Sequence, residues 1–397
     1  MLVPKLRFKR EDGTDFPEWE QYRLEDTVDF LDEKRKPITS KYRKAGQYPY
    51  YGASGIIDFI DDYIFDEELV LLSEDGANIV DRNYRVAFIA TGKYWVNNHA
   101  HCLRPKQGFA SYFISEALEN IDYTVYNTGS AQPKLNQEVC RNLPLMCPCL
   151  EEQQKIANFL SIVDEVIAQS EAEVQNLEQQ KKAAMQKIFS QEVRFKREDG
   201  TDYPEWEEDT IGNCVNVTSC KRVHQSDWTD SGVPFYRARE IVALYNNEPI
   251  MPLHISIEKY NALSKISGMI SSGDLLVTGV GTIGVPYLVK ESDKFYFKDG
   301  NIIWFQNEEK RALGSFLYYT LSTNEFQTKI LQDSGKGTVH TFTIANAKET
   351  IIAIPCLEEQ QKIADFLSAY DEAISYAKQE LDKWKELKKG LLQQMFV

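Results

Sequence analysis

The sequence predicts an α+β protein in which two mixed α/β domains are joined by a pair of long antiparallel coiled-coil helices under a pseudo-two-fold internal repeat. Three observations carry this. Pro148-Cys-Leu-Glu-Glu-Gln-Gln-Lys-Ile-Ala-Asn-Phe-Leu-Ser161 returns 207 residues later as Pro355 to Ser368, with only Asn158 replaced by Asp365. A second block, Leu6-Arg-Phe-Lys-Arg-Glu-Asp-Gly-Thr-Asp-Phe-Pro-Glu-Trp-Glu20, returns as Val193 to Glu207, differing at its first residue and at Phe16 against Tyr203. Between these frames, residues 21–147 and 208–354 share little sequence. The chain therefore reads as a first domain over 1–147, a helix over 148–190, a second domain over 191–354 and a second helix over 355–397.

Both helices show a heptad seam. Alternating steps of four and three give Ile156, Leu160, Val163, Ile167, Ser170, Val174, Leu177, Lys181, Ala184 and Ile188 in the first. The second gives Ile363, Leu367, Tyr370, Ile374, Ala377, Leu381, Trp384, Lys388, Leu391 and Met395, so both carry a lysine at the same seam position. Each helix follows a proline and opens with two glutamates, as the helix dipole favours. A domain's entry and exit commonly lie close together, which would send the second helix back antiparallel beside the first and bring Val397 near Met1. At ~1.5 Å per residue such a rod is on the order of 58 Å long, a ruler of nucleic-acid dimensions.

Within the frames, Asp12-Gly13 and Asp199-Gly200 read as tight turns, and Trp19 and Trp206 as buried anchors. The variable regions contain short apolar runs that read as strands: Leu69–Leu72, Val86–Ile89 and Tyr94–Val96, then Leu275–Thr278, Pro286–Val289 and Ile302–Phe305. Helical patterns are fewer, the best being Ser111–Asn120 and Gly314–Gln332.

The 397 residues leave room for two or three cores, and the net charge of −15 argues against coating nucleic acid by bulk charge, so phosphate contacts must come from local basic patches. The seven cysteines include no C-x-x-C pair, which suits reduced thiols in a cytoplasm. A zinc site from His99, His101, Cys102 and Cys147 or Cys149 is conceivable by residue type, but the spacing fits no known knuckle. The Met1 to Arg10 stretch lacks the apolar core of a signal peptide and no segment approaches a membrane span, so a soluble, cytoplasmic protein is expected.

Catalytic signatures are lacking. Gly279-Val-Gly281-Thr-Ile-Gly284 matches the dinucleotide fingerprint in letters, but a Rossmann site needs a helix at the third glycine and Val285-Pro286-Tyr-Leu-Val289 continues extended. Ser334-Gly-Lys-Gly-Thr338 lacks the upstream glycine of a Walker loop, and neither a G-x-S-x-G elbow nor H-E-x-x-H occurs. The chain reads as a recogniser without a catalytic centre, cofactor or metal of its own.

In each domain a basic cluster leads into aromatics at a corresponding depth: Lys34, Arg35 and Lys36 before Tyr50 and Tyr51, and Lys221, Arg222 and His224 before Tyr236, Arg237 and Arg239. Basic groups neutralise phosphates, while Arg, Asn and Gln read base edges. A solvated basic turn followed by core aromatics is the bland alternative for any single residue. Further candidates are Asn97, Asn98, His99, Gln132 and Lys134 in the first domain, and Lys298, Asn301, Lys336 and Thr338 in the second, with His101 and His340 beside them.

At this point the chain resembles, over its whole length, the DNA specificity subunit of type I restriction-modification systems. The carriers are the duplicated Leu-Glu-Glu-Gln-Gln-Lys-Ile-Ala helices, Tyr50-Tyr-Gly-Ala-Ser-Gly-Ile-Ile57, Gly129-Ser-Ala-Gln-Pro-Lys134, and Arg222-Val-His with Pro234-Phe-Tyr-Arg237. The resemblance implies that the variable regions are target recognition domains, each reading one half of a split double-stranded DNA sequence. It implies that the helices form a spacer docking two methyltransferase subunits, joined by restriction/translocase subunits, with S-adenosylmethionine, ATP and magnesium bound by those partners. Repetition of the Glu-Glu-Gln-Gln-Lys run suggests two equivalent docking surfaces. A coiled-coil scaffold without DNA binding and a nucleotide-dependent enzyme are the competing classes.

Overall fold

The computed structural model describes residues 4–129, 132–307, 311–333 and 341–396. The chain divides into two compact units, Met1–Ala172 with Lys378–Val397, and Glu173–Ala377, so each long helix contributes one half to each unit.

In the first unit a central antiparallel sheet takes the strands Val28–Phe30, Ala100–Pro105, Leu69–Ser73 and Ala87–Ala90 in that order. A second sheet orders Gly55–Ile60, Ala45–Gly52, Lys93–Val96 and Phe65–Asp66, the middle pair running parallel. The run Leu69–Leu72 is apolar without alternation because both of its faces are covered. Val70 and Leu72 enter the core built with the helices, while Leu69 and Leu71 enter the core shared with the second sheet.

The second unit repeats this plan from unlike residues. Its central sheet orders Asn216–Thr218, Ile302–Gln306, Leu275–Thr278 and Pro286–Leu288; its second sheet orders Trp228–Thr229, Leu253–Ile255, Val233–Tyr236 and Tyr296–Phe297, with the last pair parallel. Ile303 and Phe305 feed one core and Ile302 and Trp304 the other. The six expected strands form, with ends within a residue of expectation. Ser111–Glu119 is helical as expected, and one helical expectation needs revision. Gly314–Gln332 is two helices, Gly314–Leu321 and Asn324–Asp333, because Ser322 and Thr323 hydroxyls bond back to the carbonyls of Tyr318 and Thr320 and the second hydroxyl accepts from Phe326 N. Ala238–Tyr245 and Ile257–Ser267 are helical as well, the latter capped by Ser256, whose Oγ accepts from Lys259 N at 3.2 Å.

The duplicated frames are now explained. The block before each domain folds onto the first turns of the helix after it: Arg7 forks onto Glu152 (3.1 and 2.8 Å) and Arg194 onto Glu359 (3.3 and 2.9 Å), both carboxylates being fully buried. Gln153 accepts from Ala110 N and donates to Pro148 O, as Gln360 does with Leu313 N and Pro355 O. Lys155 and Lys362 donate to the carbonyls of Lys9 and Lys196. In each block the glycine of the turn, Gly13 or Gly200, has φ near 83° or 85°, and the preceding aspartate accepts from the following threonine.

The helices run Leu150–Phe189 and Leu357–Met395, and every seam position is buried or half-buried. Within the first unit Asp164 meets Lys388 and Glu171 meets Lys385; within the second Lys181 meets Asp371, so the helix halves are antiparallel. Met1 and Val397 lie outside the described residues, but Leu6 N donates to Gln394 O at 3.0 Å, and Met395 and Phe396 complete the core around Trp19 and Phe113.

Candidate nucleic-acid interface

One edge of each domain gathers the polar candidates, and backbone hydrogen bonds build it. In the first unit Tyr51 and Val96 end a parallel pair, and Asn97 N donates onward to Tyr51 O at 3.0 Å. Glu74 N donates to His99 O (2.9 Å), Leu135 N to Glu74 O (2.7 Å) and Lys36 N to Val96 O (3.4 Å). Lys36, Tyr51, Asn98, His99 and Lys134 thereby come to one rim.

The second unit constructs its rim by the same bonds. Tyr236 and Phe297 end a parallel pair, Lys298 N donates to Tyr236 O at 2.8 Å, Gly279 N to Asn301 O at 2.8 Å, and Phe342 N to Gly279 O at 2.9 Å. Tyr51 thus corresponds to Tyr236, Asn97 to Lys298 and His99 to Asn301, a correspondence the sequences do not display. The glycine-rich Gly279–Gly284 stretch is a connection at this rim: the chain goes on into the strand Pro286–Leu288, antiparallel to Leu275–Thr278, and no helix opens at the third glycine.

The candidates separate by exposure. Lys34, Lys36, Asn98, His99, Gln132 and Lys134 are exposed in the first domain, as are Lys221, Arg222, His224 and Arg239 in the second; Tyr51, Tyr236, Lys298 and Asn301 are half-buried. Four expectations do not fit a direct contact. Tyr50 is buried, its hydroxyl accepting from Ile38 N and its face covered by Arg43 at 4.4 Å. Asn97 is buried and its Oδ1 accepts from His99 N. Arg35 is held by Glu74 (2.6 Å), Asp32 (3.4 Å) and the Ala100 carbonyl. Arg237, 25 % exposed, forks onto buried Glu240 and caps the helix Ala238–Tyr245, whereas Arg239 touches the same carboxylate but is 68 % exposed. Lys336, Thr338 and His340 lie outside the described residues.

Sequence reasoning passed over the acids that organise these rims. Asp75 accepts from His99 Nδ1 at 2.9 Å, Glu74 pairs with Lys134 at 3.2 Å, and Asp299 pairs with Arg222 at 2.9 Å and Lys298 at 3.4 Å. The local signal is Ser73-Glu74-Asp75-Gly76, acids at a turn closing a buried strand. His101 lies beneath, wholly buried, with Nδ1 on Asp32 (2.6 Å) and Nε2 on the Leu135 carbonyl (2.8 Å). Both ring nitrogens face acceptors, so the ring is an imidazolium. Burial is the largest influence and opposes that charge, but the Asp32 hydrogen bond, the contact with Cys140 and the Asp32 charge together outweigh it, and His101 is pushed up to about 10. Burial likewise opposes charge on Asp32, yet the His101 bond and charge hold it below the usual carboxylate range. With both nitrogens bonded, His101 has no lone pair for zinc, and no metal-binding group of His, Cys, Asp and Glu exists among the described residues.

The helix surfaces also revise the reading of the duplicated run. Glu152, Gln153 and Lys155, with their copies, hold the frame together, as described above. Facing solvent in both copies are Glu151 and Glu358, Gln154 and Gln361, Asn158 and Asp365, and the apolar Leu150 and Leu357, Phe159 and Phe366. Phe8 and Phe195 pack edge-on against these phenylalanines at 5.6 and 5.5 Å. Among the described residues no helix is long and apolar enough to cross a membrane.

The family model of the type I restriction modification DNA specificity domain matches the chain twice, over residues 17–179 and 203–385. The chain belongs to this family. The two matches follow the internal repeat, so each copy of the specificity domain carries one rim. Among relatives, the chain is 27 % identical over 356 residues to a Haemophilus influenzae protein named as a type I restriction enzyme specificity subunit, covering 89 % of this chain and 87 % of that one. It is 24 % identical to the type I restriction enzyme MjaVIII specificity subunit of Methanocaldococcus jannaschii, covering 97 % and 94 %. In fold it is similar to the type I restriction-modification S subunit from M. genitalium, with a TM-score of 0.66, 15 % identity and coverage of 100 % and 99 %. Members of the family recognise DNA targets, and the duplicated polar rims suit that task.

Proposed function

We propose that each rim reads one half of a bipartite double-stranded DNA target, with the paired helices setting the gap between the halves. The observation that carries this reading is the same backbone-built rim made twice, from unlike side chains, inside nearly identical frames. Reading heads that differ while their mounts stay fixed suit two different half-sites read by one assembly. Exposed Lys36, Lys134, Lys221 and Arg222 suit phosphates; Asn98, His99 and Arg239 suit base edges.

The chemistry is assigned to partners. Two methyltransferase subunits dock on the duplicated outward patches around Phe159 and Phe366, and restriction/translocase subunits join them; S-adenosylmethionine, ATP and magnesium belong to those subunits, and the complex works in the cytoplasm. The near-identity of the two patches supports two copies of one kind of partner. Native mass measurement of the co-expressed complex is expected to give two methyltransferase subunits per chain, and a one-to-one assembly as the sole active species would overturn this stoichiometry. Base-resolved mapping of methyladenine in host DNA, with and without this gene, tests the central reading: a split motif should disappear with the gene. Methylation that persists unchanged would refute it.

A further inference from the structure

The only charged residues on the seams are Lys181 and Lys388, and each is engaged in the same way. Lys388 Nζ lies 2.6 Å from Asp164 on the opposite helix, and Asp164 also accepts from the hydroxyl of Tyr112, on the helix Ser111–Glu119 of the first domain. Lys181 Nζ lies 2.6 Å from Asp371, which accepts from Tyr319 of the helix Gly314–Leu321 at 2.7 Å. The 207-residue offset carries Tyr112 to Tyr319, Asp164 to Asp371 and Lys181 to Lys388. Although the variable regions share little sequence, the tyrosine recurs at the repeat spacing of the frame. Each triad ties three elements of one unit: a domain helix, the long helix leaving that domain, and the long helix returning to it.

We infer that these triads are register keys, fixing the axial alignment of the two helices with each other and with each reading domain. The lysines are only 13 % and 19 % exposed, so a shifted seam would strand a half-buried ammonium among apolar side chains. Apolar seam residues interact without direction and tolerate neighbouring registers, whereas a single polar seam residue penalises all but one. The first unit adds Glu116, 3.6 Å from Lys388 and itself bonded to Arg85 at 2.5 Å; the second has threonine at the matching position 323 and covers Lys181 with the Tyr319 ring at 5.2 Å. The keys are thus positioning residues for specificity: they hold the gap to a single length. This consequence rests on the reading in which the helices set the gap.

The test uses the full chain co-expressed with its methyltransferase subunits, carrying Lys181→Met and Lys388→Met together. Register is read with Glu171→Cys and Lys385→Cys joined by a short bismaleimide, and with an out-of-step pair, Glu171→Cys and Lys378→Cys. Both are placed in a Cys149→Ser, Cys356→Ser background that removes the two thiols not fully buried. The gap is read by mapping methyladenine. The expected result is severalfold slower in-step cross-linking, new out-of-step product, and methylation of the same half-sites across neighbouring gap lengths, while Lys181→Arg with Lys388→Arg keeps the parental pattern. In-step cross-linking at the parental rate, in a folded Met variant, would overturn the keys. Looser cross-linking with a single unchanged gap would leave the keys standing and overturn the gap-setting reading. Should the double variant fail to fold, Lys388→Met alone, which leaves Lys181 and Asp371 paired, reads the same cross-link.

Discussion

Glu152 and Glu359 are buried carboxylates whose nearest cations are Arg7 and Arg194; Arg194 also meets the exposed Glu205 at 3.2 Å, and at the carboxylates themselves the two copies differ at a tryptophan. Trp206 Nε1 donates to Glu359 at 3.2 Å, whereas Trp19 Nε1 finds no partner among the described residues. Removing the cation from a buried pair costs about 3–5 kcal/mol. Arg7→Met is therefore expected to destabilise its unit by about that much, and Arg194→Met by less, because the Trp206 hydrogen bond remains; chemical denaturation compares them, and equal losses would mean that this bond contributes nothing. His101 gives a pH signature. Its folded value is raised, to about 10 against ~6.5 unfolded, so its stabilisation is complete below ~6.5 and is lost as pH rises through about 10. The melting-temperature advantage of the parent over His101→Gln should accordingly shrink between pH 7 and 10; a constant difference would mean that the ring is neutral in the fold. These pairings were hidden in the sequence, where Arg35 beside Lys34 and Lys36, or Arg237 near Arg239, reads as a solvent-facing cluster. Only tertiary partners, Glu74 and Asp32 for the one and Glu240 for the other, turn a cation inward.

Among the elements, the long helices and the frame blocks were the most legible, since a heptad seam and an exact duplication are recorded in side-chain identity. The rims were not, because their geometry is written in main-chain bonds such as Asn97 N to Tyr51 O and Lys298 N to Tyr236 O, which any residue can make. The break at Ser322-Thr323 was missed for a related reason: hydroxyls that bond back to carbonyls leave no gap in the apolar period. The helices also permit a test by length. Seven residues inserted after Val174 and after Leu381 return every seam position to its face, and both Asp164 with Lys388 and Asp371 with Lys181 keep their spacing inside their own unit. The helices lengthen by about 10 Å at ~1.5 Å per residue, or roughly three base pairs at ~3.4 Å each. Three base pairs also rotate the duplex by roughly 100°. The expected outcome is methylation of the same half-sites across a longer gap, or loss of methylation; an undiminished original target would show that the helices do not set the spacing.

For the whole molecule, two separate rims imply separable specificity. Arg239→Ala should relax one half-site by about 1–3 kcal/mol if a bidentate base contact is lost, and His99→Ala the other, each leaving the opposite half-site unchanged in methylation mapping. Equal relaxation of both halves by either change would sink the assignment. Lys36→Ala should instead weaken binding to all sequences and lower the salt slope by about one counterion. The make-up of the first unit has a consequence in time. Its core is closed by Met395 and Phe396, yet residues 173–377 are synthesised before the returning segment that carries them. At ~5–20 residues per second a ribosome needs roughly 10 to 40 s to pass that interval. Throughout it the newly made first domain waits with Trp19 and Phe113 uncovered, whereas the second unit is contiguous and can close as it emerges. The domain made first is thus the last to be finished, leaving its apolar surface exposed longest during synthesis.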